Sequence, residues 1–266
     1  MQFGAMNFPI HPLLEEIDRI TKMEFDFIEI SMDAPMAHYT VIIEQKTAIL
    51  NRLKRSGLNL VCHLPTFVSA ADLTEGIRKA SQKEMIRSLE TAAELNPVKV
   101  SVHPGMVNGV GIFMKETVIG YAMDHLDGMV QRARELGVTL CLENMFPKYG
   151  FMTEPDEFLP VFKRFDDLLF LLDVGHARIG QKDTGKIIRF IELLGNRLGH
   201  LHLSDNRGKM DDHLALGDGY IDFTEIVSAL KKTGYDDTVT LEVFNTGPER
   251  LIESRQRFHH LRSLDF

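Results

Sequence analysis

Several features that would assign this chain to a class at once are scarce in it, and each scarcity excludes something. Only two cysteines occur in 266 residues, Cys62 and Cys141. With both read on strands, Cys62 points opposite to its neighbour His63 while Cys141 shares a face with Glu143, so no bond between them is expected. Basic residues are outnumbered, 30 Lys and Arg against 38 Asp and Glu, for a formal net charge of −8. That argues against a broad basic surface for nucleic acid, though not against a local basic groove. Neither a signal-peptide pattern nor an 18-residue apolar run is present, so a reducing cytoplasmic setting and no membrane partner are expected. No Pro/Gly/Ser-rich linker, charge block or low-complexity tract divides the chain, and residues 1–266 read as one domain.

What is present is alternation. Short apolar runs at Gln2–Asn7, Phe25–Met32, Asn59–Leu64, Val98–His103, Thr139–Glu143, Leu168–Asp173, Leu198–Leu203 and Thr238–Phe244 read as eight strands. Between and after them lie segments of 3.6-residue period: His11–Met23, Tyr39–Ser56, Glu75–Leu95, Lys115–Leu136, Pro155–Phe165, Asp183–Leu194, Phe223–Thr233 and Pro248–Leu264. Gly57, Gly137 and Gly234 each stand between a helical pattern and a strand, where a left-handed C-cap is wanted. Asp222, with Glu225 three positions on, has the form of a capping box. Eight strand-helix units in about 250 residues is the size of a (β/α)8 TIM barrel. A doubly wound open sheet is the competing architecture.

Nine side chains of metal-binding type recur at or just beyond the ends of the apolar runs: His63, His103, Glu143, Asp173, His176, His202, Asp211, His213 and Glu242. Hydrophobic burial alone would not put unpaired carboxylates and imidazoles there, because desolvating them is costly, and a cation would resolve that cost. The candidates fall on six consecutive strands. Only a closed ring brings six strand ends around one point, since an open sheet spreads them at about 4.8 Å per strand. Asp173 and His176 share one cavity if the chain turns at Gly175. Mixed His and carboxylate donors suit zinc, manganese, cobalt or iron(II) better than calcium. Nine donors exceed the four or so of one ion and would serve two or three if all converge.

Other residues carry weaker signals. His200 shares a face with His202 one layer deeper, and reads as a hydrogen-bonded residue of the barrel interior or a support for a ligand. Arg207 and Lys209, in the loop after the seventh strand, are solvated or clamp an anionic group of a substrate. Phe67, Phe146, Tyr149 and Phe244 follow ligand-bearing strands and would wall a pocket, while His259-His260 on the last helix reads as surface or packing.

The strand ends at His63, His103, Glu143, Asp173, His202 and Glu242, with Asp173-Val174-Gly175-His176 and His202-Leu203-Ser204-Asp205-Asn206, resemble the xylose isomerase-like TIM-barrel superfamily. The resemblance covers nearly the whole chain and implies one of two activities. In the sugar isomerase and epimerase branch, a divalent metal (Zn, Mn, Co or Mg) would be held by Glu143, Asp173, His202 and Glu242. The two glutamates would act as acid and base through an enediolate, and His176 would touch a small sugar substrate. In the endonuclease IV branch the same four would be joined by His63, His103, His176, Asp211 and His213 around three zinc ions, for phosphodiester cleavage at abasic DNA. Thr66, where that branch carries a DNA-contacting Tyr, and Asn144-Met145-Phe146-Pro147-Lys148-Tyr149 depart from the second pattern. A metal-dependent sugar or sugar phosphate isomerase or epimerase, with one to three ions, is the activity expected.

Overall fold

The alternation resolves into eight parallel strands: β1 (Gln2–Met6), β2 (Phe27–Ser31), β3 (Asn59–His63), β4 (Lys99–Val102), β5 (Leu140–Glu143), β6 (Leu169–Asp173), β7 (Leu198–Leu203) and β8 (Thr238–Leu241). The computed structural model describes residues 1–244 and 247–264. Each strand pairs with the next, and β1 pairs with both β2 and β8, so the sheet closes on itself and the open-sheet alternative is excluded. The helices are α1 (Leu13–Lys22), α2 (Tyr39–Ser56), α3 (Glu75–Ala93), α4 (Lys115–Leu136), α5 (Leu159–Arg164), α6 (Val174–Arg178), α7 (Gly185–Leu194), α8 (Phe223–Thr233) and α9 (Pro248–Ser263). The chain is a single-domain (β/α)8 TIM barrel.

Local chemistry explains most boundaries. Gly57, Gly137 and Gly234 close α2, α4 and α8 at φ of 71°, 69° and 73°, a region that costs other residues energy. Asp222 caps α8 by accepting the Thr224 N–H at 2.9 Å. Glu225, expected to complete a capping box, instead accepts the Thr184 hydroxyl, so this box is half formed. A box does form at Glu154 and Glu157, where the Pro155–Phe165 segment begins as a 3-10 turn before continuing as α5.

The strand ladders stop short of the expected ends, at Val102 rather than His103 and at Leu241 rather than Phe244. His103 and Glu242 therefore lie one residue past the ladder, where side chains turn toward the barrel mouth. The turn at Gly175 is realised as α6, which follows β6 without a break.

The two faces of the strands differ in kind. Outward residues such as Ile28, Ile30, Phe170, Leu172, Leu201 and Val239 are fully buried against the helices, in one continuous apolar cluster. Each such side chain contributes about 1.5–3 kcal/mol of transfer free energy. Cys62 belongs to this cluster and Cys141 does not, and both thiols are free and buried, as their opposed faces required. Inward, Phe27 fills the floor of the barrel because Gly4 opposite has no side chain: a Cβ there would lie 2.2 Å from the ring. Above that floor the interior becomes polar.

Candidate metal centre

Seven of the nine candidate ligands line one cavity of about 240 Å³ at the C-terminal mouth of the barrel: His63, His103, Glu143, His176, Asp211, His213 and Glu242. Asp173 and His202 lie just beneath, 1% and 0% exposed. All nine are thus brought together. Larger hollows, such as one of about 480 Å³ between α7 and α8, lie on the flanks and contain none of them.

Glu143 is the hub. Its Oε2 lies 3.2 Å from His63 Nε2 and 3.1 Å from His103 Nε2, while Oε1 lies 3.1 Å from His176 Nδ1 and 3.8 Å from His202 Nδ1. Glu242 approaches from β8, with Oε1 2.9 Å from His202 Nδ1. Asp211 joins His176 Nε2 at 3.2 Å and His213 Nε2 at 3.1 Å.

The spacing of three between Asp173 and His176 has a physical use. Asp173 Oδ1 caps α6 by accepting the His176 N–H at 2.5 Å, which fixes the carboxylate and leaves Oδ2 without a hydrogen bond. The loop bearing Asp211 and His213 is held by Asp205, whose carboxylate accepts four backbone N–H groups, those of Asn206, Gly217, Gly219 and Ile221. His213 itself sits at φ 47°, a sparsely populated conformation for a residue with a side chain.

The charges of the cluster are interdependent. Burial pushes Glu143 upward, but the charges of His103 and His202 and hydrogen bonds from His103 and His176 hold it well below the usual carboxylate range. Burial also drives His63 and His213 down, yet bonding to Glu143 and Asp211 respectively lifts each to about 9. His176 and His202 are raised well above the ordinary range because neighbouring carboxylates outweigh the same desolvation. Asp173 is the exception among the acids: burial, opposed by His176 but aided by Glu242, Glu143 and Asp211, raises it to about 7.

Protons on imidazoles and on Asp173 therefore balance a cluster of buried carboxylates, and a divalent cation can supply the same balance. The donor atoms of Glu143, Asp173 and His202 lie within 4.8 Å of one another, as do those of His63, His103 and Glu143. His202 Nδ1 and Asp173 Oδ2 are buried and lack hydrogen-bond partners, the first because Glu242 approaches it outside hydrogen-bonding geometry. Orphaned buried donor atoms of this kind fit a cation better than they fit a packed core.

Two acidic residues escaped the sequence reading. Glu29, in the middle of β2, is fully buried and lies 3.1 Å from His202 Nε2 and 3.0 Å from His200 Nε2. Asp33, also lining the cavity, accepts Thr66 N at 3.0 Å and Thr66 Oγ1 at 2.9 Å. The signal for Glu29 was available, a lone charge inside Phe27-Ile28-Glu29-Ile30 that alternation points inward. His200 is the hydrogen-bonded interior residue it was expected to be. Arg207, expected at the substrate, has an exposed side chain and is absent from the cavity wall. Phe67 and Phe244 do line the cavity, and Phe146 packs on His176 with ring centroids 5.0 Å apart. His259 is a surface residue against Phe3.

Residues 17–264 match the family model described as xylose isomerase-like TIM barrel. The chain belongs to that family. It is similar to a Methanocaldococcus jannaschii protein described as uncharacterized, 29% identical over 91% of this chain and 83% of that one. It is also similar to L-ribulose 3-epimerase of Mesorhizobium japonicum, 31% identical over 44% of this chain and 38% of that one. A solved D-tagatose 3-epimerase-like protein superposes with a TM-score of 0.86 at 25% identity, covering 98% of this chain and 97% of that one. Relatives with a described activity include sugar 3-epimerases.

Proposed function

We propose that this chain is a metal-dependent sugar or sugar phosphate isomerase or epimerase, with one divalent ion, zinc, manganese, cobalt or magnesium, held by Glu143, Asp173, His202 and Glu242. The observation that carries the reading is the pairing of Glu143 and Glu242. They come from β5 and β8, three strands apart around the ring, both border the cavity, and both face His202 Nδ1, at 3.8 and 2.9 Å. Inversion at a sugar carbon needs one carboxylate to take a proton from one face and a second to return a proton to the other. A divalent ion, when bound, polarises a carbonyl and its adjacent hydroxyl and so acidifies the C–H to be broken.

The chain's own residues supply the rest. Glu143 and Glu242 are both held below the ordinary carboxylate range, against the pull of burial, by imidazoles around them, so either can take the proton, and the one that returns a proton first takes it from water. His176, between Glu143 and Asp211, presents its ring at the cavity wall for a substrate hydroxyl. Met6, Phe8, Phe67 and Phe244 form an apolar wall that limits water at the reacting carbon. The relatives' 3-epimerase activities support the same class of reaction on a ketose.

Incubation of the metal-loaded protein with a panel of ketoses and ketose phosphates in D2O tests this. The expected result is an epimer carrying one deuterium at the inverted carbon. No exchange on any of them by protein with a full complement of metal would sink the reading.

A second reading, hydrolysis of phosphodiesters at abasic DNA by two or three ions, draws on one observation: His63, His103, His176, Asp211 and His213 converge with the other four. Against it, no Lys or Arg is among the residues lining the cavity, and the chain carries a net charge of −8. Phosphate backbones are ordinarily met by cations. A content near three zinc ions together with cleavage of an abasic duplex would favour this second reading.

A further inference from the structure

Beneath the cavity, four donors converge on the two oxygens of Glu29. Ser101 Oγ lies 2.8 Å from Oε1, His200 Nε2 3.0 Å from Oε2, and His202 Nε2 3.2 and 3.1 Å from the two, while the Thr240 hydroxyl also donates to Oε2. These donors come from β4, β7 and β8, whereas Glu29 is on β2, so the carboxylate spans the barrel interior. The chain of contacts continues downward. Thr238 Oγ1 lies 2.7 Å from His200 Nδ1, and Lys99 Nζ lies 3.2 Å from Thr238 Oγ1. Lys99 can only donate to Thr238 Oγ1, and His200 Nδ1 also lies 3.1 Å from the Thr238 carbonyl, but at the top of the series the direction is set by the Glu29 carboxylate, which only accepts.

The direction matters for His202. A carboxylate accepting from four groups cannot donate, so the hydrogen between Glu29 and His202 belongs to Nε2. In the neutral imidazole that a metal requires, Nδ1 is then the lone-pair nitrogen, and it is the atom that faces Glu143, Asp173 and Glu242 and makes no hydrogen bond of its own. We infer that Glu29 is a positioning residue: it fixes the tautomer and ring orientation of His202 so that Nδ1 is offered to a divalent cation. Glu29, His200 and His202 also have donor atoms close enough to hold an ion themselves. The saturation of the Glu29 oxygens by hydrogens assigns this group to support instead. The inference rests on the metal site proposed above but not on the identity of its reaction.

A carboxylate behind a ligating imidazole typically contributes about 10- to 100-fold to metal affinity. Titration calorimetry with Mn2+ and with Zn2+ on metal-free protein is the test. Glu29→Gln is expected to weaken both by about 10- to 100-fold, and Glu29→Asp, whose shorter carboxylate withdraws from His202, by less than that but by more than about threefold. Ser101→Ala, which removes one donor to Glu29 without touching His202, is expected to stay within about threefold. In 15N-histidine spectra of the zinc-loaded wild type, the His202 hydrogen is expected on Nε2. Affinity within threefold of wild type in Glu29→Gln, or in Glu29→Asp should the former not fold, overturns the inference. So does an equal loss in Ser101→Ala, which would indicate general packing, or a hydrogen found on Nδ1. A wild type that binds metal but epimerises no ketose would fail the proposed function and leave this inference standing.

Discussion

The same eight strands carry two regions that are equally dry and chemically opposite. On the outward face Phe170, fully buried, packs on Phe158 and Phe190 with ring centroids 5.0 and 5.5 Å away. On the inward face of the same strand, Asp173, 1% exposed, keeps an oxygen without a hydrogen bond. Apolar burial stabilises wherever it occurs. Buried carboxylates cost free energy unless paired, and here they collect at one mouth, the end of the barrel where loops can reach a substrate. Under the proposed function the outer layer accounts for folding and the inner layer for reaction.

Substitutions that separate the two layers are the sharpest checks on that division. Glu143→Gln and Glu242→Gln should each lower kcat by about 10²- to 10⁴-fold while the fold, judged by circular dichroism, is kept. Steady-state rates near wild type in either would end the acid-base assignment. Phe170→Ala should behave in the reverse manner, losing about 3–5 kcal/mol of stability by denaturant titration while the folded fraction retains its metal content. If metal content falls in proportion to stability, the two layers are not separable.

A third change lies on α4, outside the barrel interior. His125 on α4 is partly buried, its Nε2 has no hydrogen-bond partner, and burial lowers its pKa to about 4. Between its ordinary value near 6.5 and about 4, the unfolded chain binds a proton that the native chain refuses. Its contribution to stability is thus present above the unfolded value and declines as pH falls through this window. His125→Leu should remove about 1–3 kcal/mol of that acid-side decline, seen as a smaller difference in unfolding free energy between pH 7 and pH 4.

The smallest effect is expected at Asp211, which touches His176 and His213 but none of the four residues proposed for the single ion. Asp211→Ala should change epimerisation less than tenfold, about 1.4 kcal/mol, with one equivalent of metal retained by elemental analysis. Loss of an equivalent would instead indicate a second ion.

Much of this was legible along the chain. Strand number and the nine ligand candidates followed from period, turn residues and residue type, because alternation along a strand is a local rule, and their fall on six consecutive strands favoured a ring over an open sheet. Arg207 shows where that reasoning stops: a loop cation placed close in sequence to His202 turned its side chain to solvent, and no periodicity governs loops. Glu29 shows the converse. Its inward direction could be read locally, but its partners His200 and His202 are more than 170 positions away.

The sequence by itself determined the repeat and which side chains point inward, since these depend on neighbours within a few residues; the ring it only favoured over an open sheet, because closure depends on β1 meeting β8. Only the tertiary structure decided that Glu143 is the hub, that Asp173 divides its two oxygens between a helix cap and the cavity, and that Glu29 stands behind His202. Those facts depend on distances across the barrel, and closure of the ring sets them all at once.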